Sequence, residues 1–273
     1  MTGQKTVFIA AISSDIGQRL VEHYLQAGYA VLGTYRNPEF LNGLDTREGV
    51  SLFQCDLADD RQITAVSRWM SDNDLTWDIF ISAVGLLSPI GPFAEADVRS
   101  WKSSVILNSL QQAQLLHTLL PFRKAGETGK VAFLVGGAIN RAFPNYSAYS
   151  LGKVLLVKFC ELLSDEEQDL HCVAIGTGWV ASKIHEQTLT AGDKAGDNLT
   201  ATREFVEAGE QGTPVSDIYE LINWCFCHPE TAGRNFSVVH DRWRDGGKEL
   251  LASLAKDQDM FRLRRHANQH KGG

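Results

Sequence analysis

The sequence predicts one α/β domain built on a doubly wound parallel sheet of about seven strands, with helices on both faces. Short apolar runs alternate with helix-length segments along the chain, which is typical of βαβ units. The runs are almost continuously apolar, as expected of strands covered on both sides. A chain of 273 residues can bury one substantial core, so we interpret residues 1–273 as a single domain.

The predicted strands and helices follow one another in order. The strands occupy residues 6–11, 30–34, 51–55, 78–83, 130–135, 171–175 and 235–239. The helices occupy residues 15–27, 61–72, 101–120, 149–163 and 215–226. In the first helix Ile16, Leu20 and Tyr24 recur at a spacing that places them on one face, which indicates packing against a sheet.

Charge, hydropathy and cysteine content exclude several classes of protein. Lys and Arg number 26 and Asp and Glu 33, a net charge of −7, so we expect no nucleic-acid partner. No apolar run approaches the ~18 residues that span a bilayer, and the first residues lack the features of a signal peptide. The five cysteines are scattered and form no zinc-ligand pairs, so we expect reduced thiols, no metal site and a cytoplasmic protein.

Residues 182–214 form a polar, glycine-rich stretch between the sixth strand and a late helix. Ligands of open α/β sheets bind outside the carboxyl ends of the strands, so a segment that leaves a strand end is well placed to cover them. We therefore interpret residues 182–214 as a substrate lid, with an ordinary surface insertion as the alternative. Residues 240–273 form a C-terminal extension.

The first strand runs into a tight turn at residues 11–17, where the first helix starts. Free backbone N–H groups at a helix N-terminus offer a site for a pyrophosphate. Such turns usually need glycine for sharp dihedral angles and close ligand approach, and only Gly17 remains in this one. A strand–turn–helix unit occurs in every α/β protein, so by itself this signal is weak.

Arg36 follows the second strand, where the ribose of a bound dinucleotide would arrive. An acidic residue at this place favours a free 2′-hydroxyl, whereas an arginine favours a 2′-phosphate. Arg36 therefore predicts NADP(H) as the cofactor, with NAD(H) possible if the arginine is simply a solvated surface residue.

Tyr149 and Lys153 carry the strongest chemical signal. Residues four apart on a helix share a face, so an ammonium would lie beside a phenol. The free phenol has a pKa of about 10, and a cation within ~4–6 Å lowers it. A phenol adjusted in this way can give a proton to a carbonyl oxygen or take one from an alcohol.

Together these motifs resemble the short-chain dehydrogenase/reductase family over nearly the whole chain. The matching features, in family order, are the turn ISSDIG, Asp56, the turn at 82–85, Asn108, Tyr149 with Lys153, and the segment 177–182. One such match is weak, but six in order at family-like intervals are strong. The resemblance implies a Rossmann fold and an oxidoreductase that uses a nicotinamide dinucleotide.

The resemblance also implies a role for individual residues. Tyr149 would be the general acid/base, Lys153 would hold the nicotinamide ribose and lower the pKa of the phenol, and Asn108 would anchor a water in a proton relay. A simpler alternative for Asn108 is that it caps or kinks its helix. Asp56 and Leu57 would contact the adenine. The implied cofactor-binding residues are Ala11, Ser13, Ser14, Ile16, Arg36, Asp56, Leu57, Ala83, Val84, Gly85, Tyr149, Lys153, Thr177, Gly178, Val180 and Ser182.

The chain departs from the family pattern in the first turn, at residues 82–85, where two amides are lost, and at position 136. Ala11 and Asp15 stand where the family has two glycines of the first turn, and the Asp15 carboxylate would repel a pyrophosphate or else cap the helix. Gly136 stands where the family has its catalytic serine. The loss of such a donor can cost ~10²-fold or more in rate. Candidate substitutes are the backbone N–H of Gly137 or Ala138, the Asn140 amide and the Ser147 hydroxyl.

The resemblance implies an NADP-dependent oxidoreductase that interconverts a carbonyl and an alcohol on a polar small molecule. The GGA turn at 136–138 and the following AFPNYSAY are similar to a branch of the family often found among carbohydrate-processing genes, which suggests a sugar or sugar conjugate as the substrate. The alternatives are a catalytically impaired relative that only binds dinucleotide or serves as a scaffold, and an epimerase-like reaction. The resemblance implies a homodimer or homotetramer built through the helices at 101–120 and 149–163. Trp179 would close over the reacting ring or pack within the lid.

Overall fold

A computed structural model describes residues 3–209 and 212–265. Its strands are β1 (Thr6–Ala10), β2 (Ala30–Tyr35), β3 (Val50–Gln54), β4 (Ile79–Ser82), β5 (Gly129–Val135), β6 (Leu170–Gly176) and β7 (Arg234–Ser237). Across these ranges the seven strands form one parallel sheet in the order β3-β2-β1-β4-β5-β6-β7. The predicted fold class is confirmed.

Helices cover both faces of the sheet. In the described ranges they are α1 (Asp15–Gln26), α2 (Asp60–Asp72), α3 (Val98–Leu107), α4 (Leu110–Leu119), α5 (Ser147–Glu166), α6 (Ile184–Ala191), α7 (Asp197–Glu207), α8 (Val215–Phe226) and α9 (Lys248–Lys256). Buried residues of α1, α8 and α9 form the core on one face, and those of α2, α4 and α5 form the core on the other.

Alternate residues of each central strand enter opposite cores. In β1, Val7 and Ile9 pack with one set of helices, whereas Phe8 and Ala10 pack with the other, and all four are fully buried. Successive side chains of a strand point to opposite faces, so a strand buried on both faces needs apolar residues at every position. This requirement explains the continuous apolar runs of the sequence.

The predicted helix at 101–120 is wrong, because the chain forms two helices, α3 and α4, that are separated at Asn108 and Ser109. Ser109 has φ −144° and ψ −82°, which is not helical backbone. The Asn108 side chain bonds the backbone of Leu86 and so draws this point of the chain toward the turn after β4.

Two helical regions have no counterpart among the predicted elements. The segment 182–214, which we call the lid after its predicted role, contains α6 and α7, and its residues 210 and 211 lie outside the described residues. In the C-terminal extension α9 packs Leu250 and Leu254 into the core. Residues 266–273 of that extension also lie outside the described ranges.

The start of α1 lies against the end of β1 because position 17 is glycine. A Cβ on Gly17 would come within 2.6 Å of the Ala11 carbonyl oxygen and 2.8 Å of the Ile12 carbonyl oxygen. Both neighbours are backbone atoms, which cannot move aside cheaply. The turn thus keeps one of the family's glycines at the position where the backbone has no room for a side chain.

The order of the strands determines where a ligand can bind. The chain passes from β1 outward to β2 and β3, and then returns to the other side of β1 to form β4. The loops after β1 and β4 therefore diverge and leave a crevice at the carboxyl edge of the sheet.

Among the described residues no helix combines the length and apolar character needed to cross a membrane.

Candidate active site

The predicted site residues lie on the loops and helices at the carboxyl edge of the sheet. Short backbone bonds connect them: the Ala83 N–H donates to the Ala10 carbonyl over 3.1 Å, and the Thr177 N–H donates to the Val135 carbonyl over 3.1 Å. The segments after β1, β4, β5 and β6 therefore meet at this edge, as the parallel topology requires.

Lys153 is a buried ammonium held by the sheet. Only 2% of the residue is exposed. Its Nζ donates to the Val84 carbonyl over 2.7 Å and to the Leu134 carbonyl over 2.9 Å. These two bonds connect α5 to the chain after β4 and to the end of β5. Burial lowers the pKa of Lys153 to about 7, because the charged form loses its hydration.

Tyr149 lies one helical turn before Lys153, and 9% of the residue is exposed. Burial raises the pKa of Tyr149 to about 12. The structure therefore differs from the expected lowering of this pKa by Lys153. The physical reason is that the ammonium is directed at two backbone carbonyls, while its Nζ lies 5.8 Å from the centre of the Tyr149 ring.

Gly136, in place of the family's serine, lies directly beside the Tyr149 hydroxyl. A Cβ at position 136 would come 2.5 Å from the Tyr149 Oη and 3.4 Å from the Cζ. The phenol therefore occupies space that a serine side chain would need. Among the candidate substitutes, the Ser147 Oγ already accepts a hydrogen bond from the Trp101 Nε1 over 2.9 Å, and Asn140 is exposed.

Asn108 caps α3 and fixes the turn after β4. Its Nδ2 donates to the Leu86 carbonyl over 2.7 Å and to the Ser104 carbonyl over 3.0 Å, and its Oδ1 accepts from the Leu86 N–H over 3.0 Å. A Cβ on Gly152 would come 2.5 Å from the Asn108 Cβ, so a glycine on α5 makes room for it. These contacts favour a positioning role, which was one of the two alternatives.

Ser14 and Asp15 make different contacts at the first turn. The Ser14 Oγ accepts from the Gly17 N–H over 3.1 Å and so caps α1. Ala11 adopts φ +57°, in the left-handed region that favours the glycine expected there. The Asp15 Oδ2 does not cap the helix but accepts from the Lys183 N–H over 2.7 Å. Asp15 thereby connects the first turn to the lid.

Arg36, Asp56 and Leu57 lie beyond the ends of β2 and β3, on the far side of the first turn. Arg36 is exposed, and its carbonyl accepts from the Gln54 Nε2 over 3.1 Å. The Asp56 Oδ1 accepts from the Ala58 N–H over 3.0 Å, which fixes the local turn. The Leu57 side chain is buried in the core, so it can meet a ligand only through its backbone.

The segment 177–182 turns sharply as it leaves β6. Gly178 has φ +71°, and the Ser182 Oγ donates to the Val180 carbonyl over 3.1 Å. Trp179 is 42% exposed and stacks on His185, with ring centres 5.4 Å apart and an angle of 17° between the planes. Trp179 therefore packs within the lid, the second of its two predicted alternatives.

Three residues that sequence reasoning missed fasten the lid to the loops around Tyr149. The Gln187 Oε1 accepts from the Leu87 and Ser88 N–H groups, each over 3.0 Å. The Tyr146 hydroxyl and the Thr188 Oγ1 are 2.9 Å apart and hydrogen-bonded. No local sequence pattern marks these contacts, since the partners lie between 42 and 100 positions apart.

The residues present fit a dinucleotide. The N-terminus of α1 follows β1 at the edge where the strand order reverses, and Gly17 lets the helix start close against the turn. The exposed Arg36 at the neighbouring strand end supplies a cation. The Asp15 carboxylate adds a negative charge to the same turn and opposes this fit in part. The described residues bring no group of three His, Cys, Asp or Glu together where a metal ion could bind.

Comparisons with known proteins agree with this arrangement. The family described as short chain dehydrogenase matches residues 5–192. The oxidoreductase YIR035C of Saccharomyces cerevisiae is 26% identical over 180 residues, which are 64% of this chain and 70% of that protein. Serine 3-dehydrogenase of Rhizobium radiobacter is 23% identical over 227 residues, 82% of this chain and 89% of the relative.

Solved structures share the fold. The crystal structure of YIR035C has a TM-score of 0.77 and 21% identity, and the match covers 92% of this chain and 99% of that one. A short chain dehydrogenase from Shigella flexneri, complexed with NADP, has a TM-score of 0.71 and 19% identity over 86% of this chain and 96% of the other.

We predict that the stability of the protein depends on pH through Lys153. The unfolded chain binds the Lys153 proton more tightly than the folded protein does. Burial of the protonated amine therefore destabilises the folded protein fully below about pH 7, and this destabilisation disappears as the pH rises toward 10.5. Relative to Lys153→Met, the free energy of unfolding of the wild type should increase by about 2 kcal/mol between pH 7 and 9. Urea denaturation of both proteins measures this difference, and parallel pH curves would contradict it.

Replacing Asp15 should strengthen dinucleotide binding. Removal of one negative charge beside a diphosphate is worth about 1–2 kcal/mol at a protein surface, so Asp15→Gly should lower the Kd for NADPH about tenfold. Asp15→Asn is the matched control, because it removes the charge but keeps an acceptor for the Lys183 N–H. Calorimetric titration gives both affinities. Weaker or unchanged binding by both folded variants would show that the carboxylate does not oppose the nucleotide.

Proposed function

Because the chain belongs to the short chain dehydrogenase family, an oxidoreductase family, we propose that it is an NADP-dependent enzyme that interconverts a carbonyl and an alcohol. One observation carries the proposal. Tyr149 and Lys153 lie one helical turn apart on α5, and Lys153 is bonded at the carboxyl edge of the sheet beside the predicted dinucleotide crevice. In this proposal Tyr149 is the general acid/base and Lys153 is its charged neighbour.

The raised pKa of Tyr149 keeps the phenol protonated at neutral pH, as the acid in a carbonyl reduction must be. A phenol with a pKa of about 12 keeps its proton at neutral pH and can donate it to a carbonyl oxygen that gains negative charge. A bound nicotinamide dinucleotide supplies the hydride for such a reaction. In this proposal Lys153 holds the nicotinamide ribose, and the phenol regains its proton from water after each turnover.

The proton donor works here without a neighbouring serine. The Tyr149 hydroxyl would contact Cβ of any side chain at position 136, so in this proposal the phenol itself binds the carbonyl oxygen. A hydrogen bond from the donor to the oxygen that becomes charged stabilises the transition state more than the ground state. Gly136 is therefore consistent with a site in which the Tyr149 hydroxyl is the only hydroxyl that this proposal assigns to the carbonyl oxygen. In the same site Asn108 positions the adjoining turn.

Two observations support NADP(H) over NAD(H). Arg36 is exposed at the end of β2, and no described carboxylate lies within 4.0 Å of its guanidinium, so it is free to pair with a 2′-phosphate. The structural neighbour from Shigella flexneri is complexed with NADP. A catalytically impaired relative is the alternative that the Asp15 charge and the missing serine favour.

We also propose that the protein forms a homodimer or homotetramer. Several large apolar residues of α3, α4 and α5 are exposed, and they would be covered by a second copy. They are Val98, Ile106, Leu110, Leu151 and Leu162. That the protein is cytoplasmic stays a prediction from the sequence.

The variant Tyr149→Phe should lose turnover and keep cofactor binding. Removal of a general acid costs about 10²–10⁴-fold in kcat, whereas the ring that packs in the site remains. NADPH oxidation and NADPH titration measure the two quantities on the same protein. Tyr219→Phe, a tyrosine on α8, is the control and should keep both. Turnover by Tyr149→Phe at the wild-type rate would exclude Tyr149 as the acid.

Arg36→Ala should weaken the binding of NADPH far more than that of NADH. A hydrogen bond between charged groups contributes about 1.5–3 kcal/mol, so the Kd for NADPH should rise about 10–100-fold while the Kd for NADH changes little. Arg19→Ala removes an exposed arginine of α1 and serves as the control. Equal losses for the two nucleotides would refute the 2′-phosphate contact.

A further inference from the structure

A third apolar cluster, separate from the two sheet cores, surrounds Tyr149. We call it the apolar cap. Its buried members are Leu87, Tyr146, Tyr149, Ala195 and Leu199, and Ile90, Phe143, Ile184 and Leu189 pack against them. The two sheet cores cover the faces of the sheet, whereas the apolar cap covers the residue that we propose as the proton donor. The groups attached to a carbonyl at Tyr149 would therefore meet this cap.

Three segments far apart in the sequence build the apolar cap. The loop after β4 provides Leu87 and Ile90, the loop after β5 provides Phe143 and Tyr146, and the lid provides Ile184, Leu189, Ala195 and Leu199, all packed around Tyr149 of α5. The rings of Phe143 and Tyr146 are stacked with centres 4.3 Å apart. Any substrate held against Tyr149 is thus enclosed by apolar surfaces from all three segments.

Polar atoms at the border of the cap are already paired within the protein. The Tyr146 hydroxyl is bonded to the Thr188 Oγ1, and the Gln187 Oε1 accepts two backbone N–H groups. The Asn198 Nδ2 donates to the Pro144 carbonyl over 3.4 Å. A polyol entering the cap would have to break such bonds to satisfy its own hydroxyls.

The buried cation beside the apolar cap is already paired within the protein, because the Lys153 Nζ donates to the Val84 and Leu134 carbonyls. The cations of the surrounding segments lie elsewhere: the Lys183 Nζ lies 4.4 Å from the centre of the Phe40 ring, and Arg141 and Lys194 are exposed. A carboxylate or phosphate placed in the cap would lose water without gaining a partner, which is strongly unfavourable.

From this lining we infer that the preferred substrate is an uncharged, largely apolar ketone or aldehyde. The inference rests on the proposed function and makes its substrate more specific. It differs from the polar or sugar-like substrate that the sequence suggested, because the lid contributes apolar side chains to the cap, while its inward-facing Gln187 and Thr188 are already bonded to the neighbouring loops. Apolar substrate surface gains free energy from burial in the cap.

A matched pair of ketones tests the inference. Acetophenone and 4-acetylbenzoate differ by one carboxylate, and the specificity constant kcat/KM is measured for each with NADPH. We expect acetophenone to be favoured at least about a hundredfold, since desolvation of an unpaired charge is costly. If Tyr149-dependent turnover of 4-acetylbenzoate is equally or more efficient, the inference is overturned and the proposed function remains intact.

Binding of the corresponding alcohols distinguishes a failure of the apolar-substrate inference from a failure of the proposed function. Calorimetry with 1-phenylethanol and 4-(1-hydroxyethyl)benzoate reports the preference of the cap without any reaction. Selective binding of the neutral alcohol without turnover of acetophenone or of any other ketone or aldehyde in a panel would refute the proposed function and support the apolar site. Neither binding nor turnover of the neutral pair would overturn both.

Lysine substitutions identify the apolar cap as the source of the preference. Leu199 is 6% exposed within the cap, whereas Val206 on the same helix is 48% exposed. Leu199→Lys should shift the specificity toward 4-acetylbenzoate and away from acetophenone at least about tenfold by pairing the carboxylate, and Val206→Lys should not. Leu189→Lys, at the half-buried edge of the cap, provides the same test if Leu199→Lys fails to fold. Equal specificity ratios in the cap variant and the Val206→Lys control would overturn the assignment.

Discussion

The arrangement of the site depends on one buried ammonium. Lys153 bonds the carbonyls of Val84 and Leu134, so it fastens α5 to two neighbouring segments at the carboxyl edge of the sheet. Tyr149 is one helical turn away and is thereby carried to the same edge. A buried charge is tolerated only when it is well bonded, and here the sheet supplies both acceptors. The position of the phenol follows from this requirement.

The same burial determines the chemistry of the phenol. Water is excluded from both groups, which lowers the pKa of Lys153 and raises that of Tyr149. The phenol is then an acid that keeps its proton until a carbonyl oxygen gains charge. Gly136 fits this arrangement because the hydroxyl lies where a side chain would start. The apolar cap extends the dry environment to the substrate, and it encloses Tyr149 with residues from three segments.

The sequence predicted the strands, their parallel arrangement and the Tyr149–Lys153 pair, because these depend on local periodicity and spacing. It offered a cap or kink at Asn108 only as an alternative and did not predict the bonds to Leu86, which lies 22 positions away. The bond between Asp15 and Lys183 spans 168 positions, and no local pattern marks it. The lid composition suggested a polar cover, but the inner faces of α6 and α7 contribute apolar residues to the cap. Contacts between distant segments determine these features, so they appear only in the folded protein.

Deuterium transfer tests the central claim most directly. The protein is incubated with acetophenone and NADPH that carries deuterium at both C4 positions of the nicotinamide, and the alcohol is analysed by mass spectrometry. The proposed function predicts one deuterium on the carbinol carbon, because the nucleotide supplies the hydride and Tyr149 the hydroxyl proton. If the folded protein forms no labelled alcohol from acetophenone or from any other neutral ketone or aldehyde in a panel, the chain is not the carbonyl reductase described here.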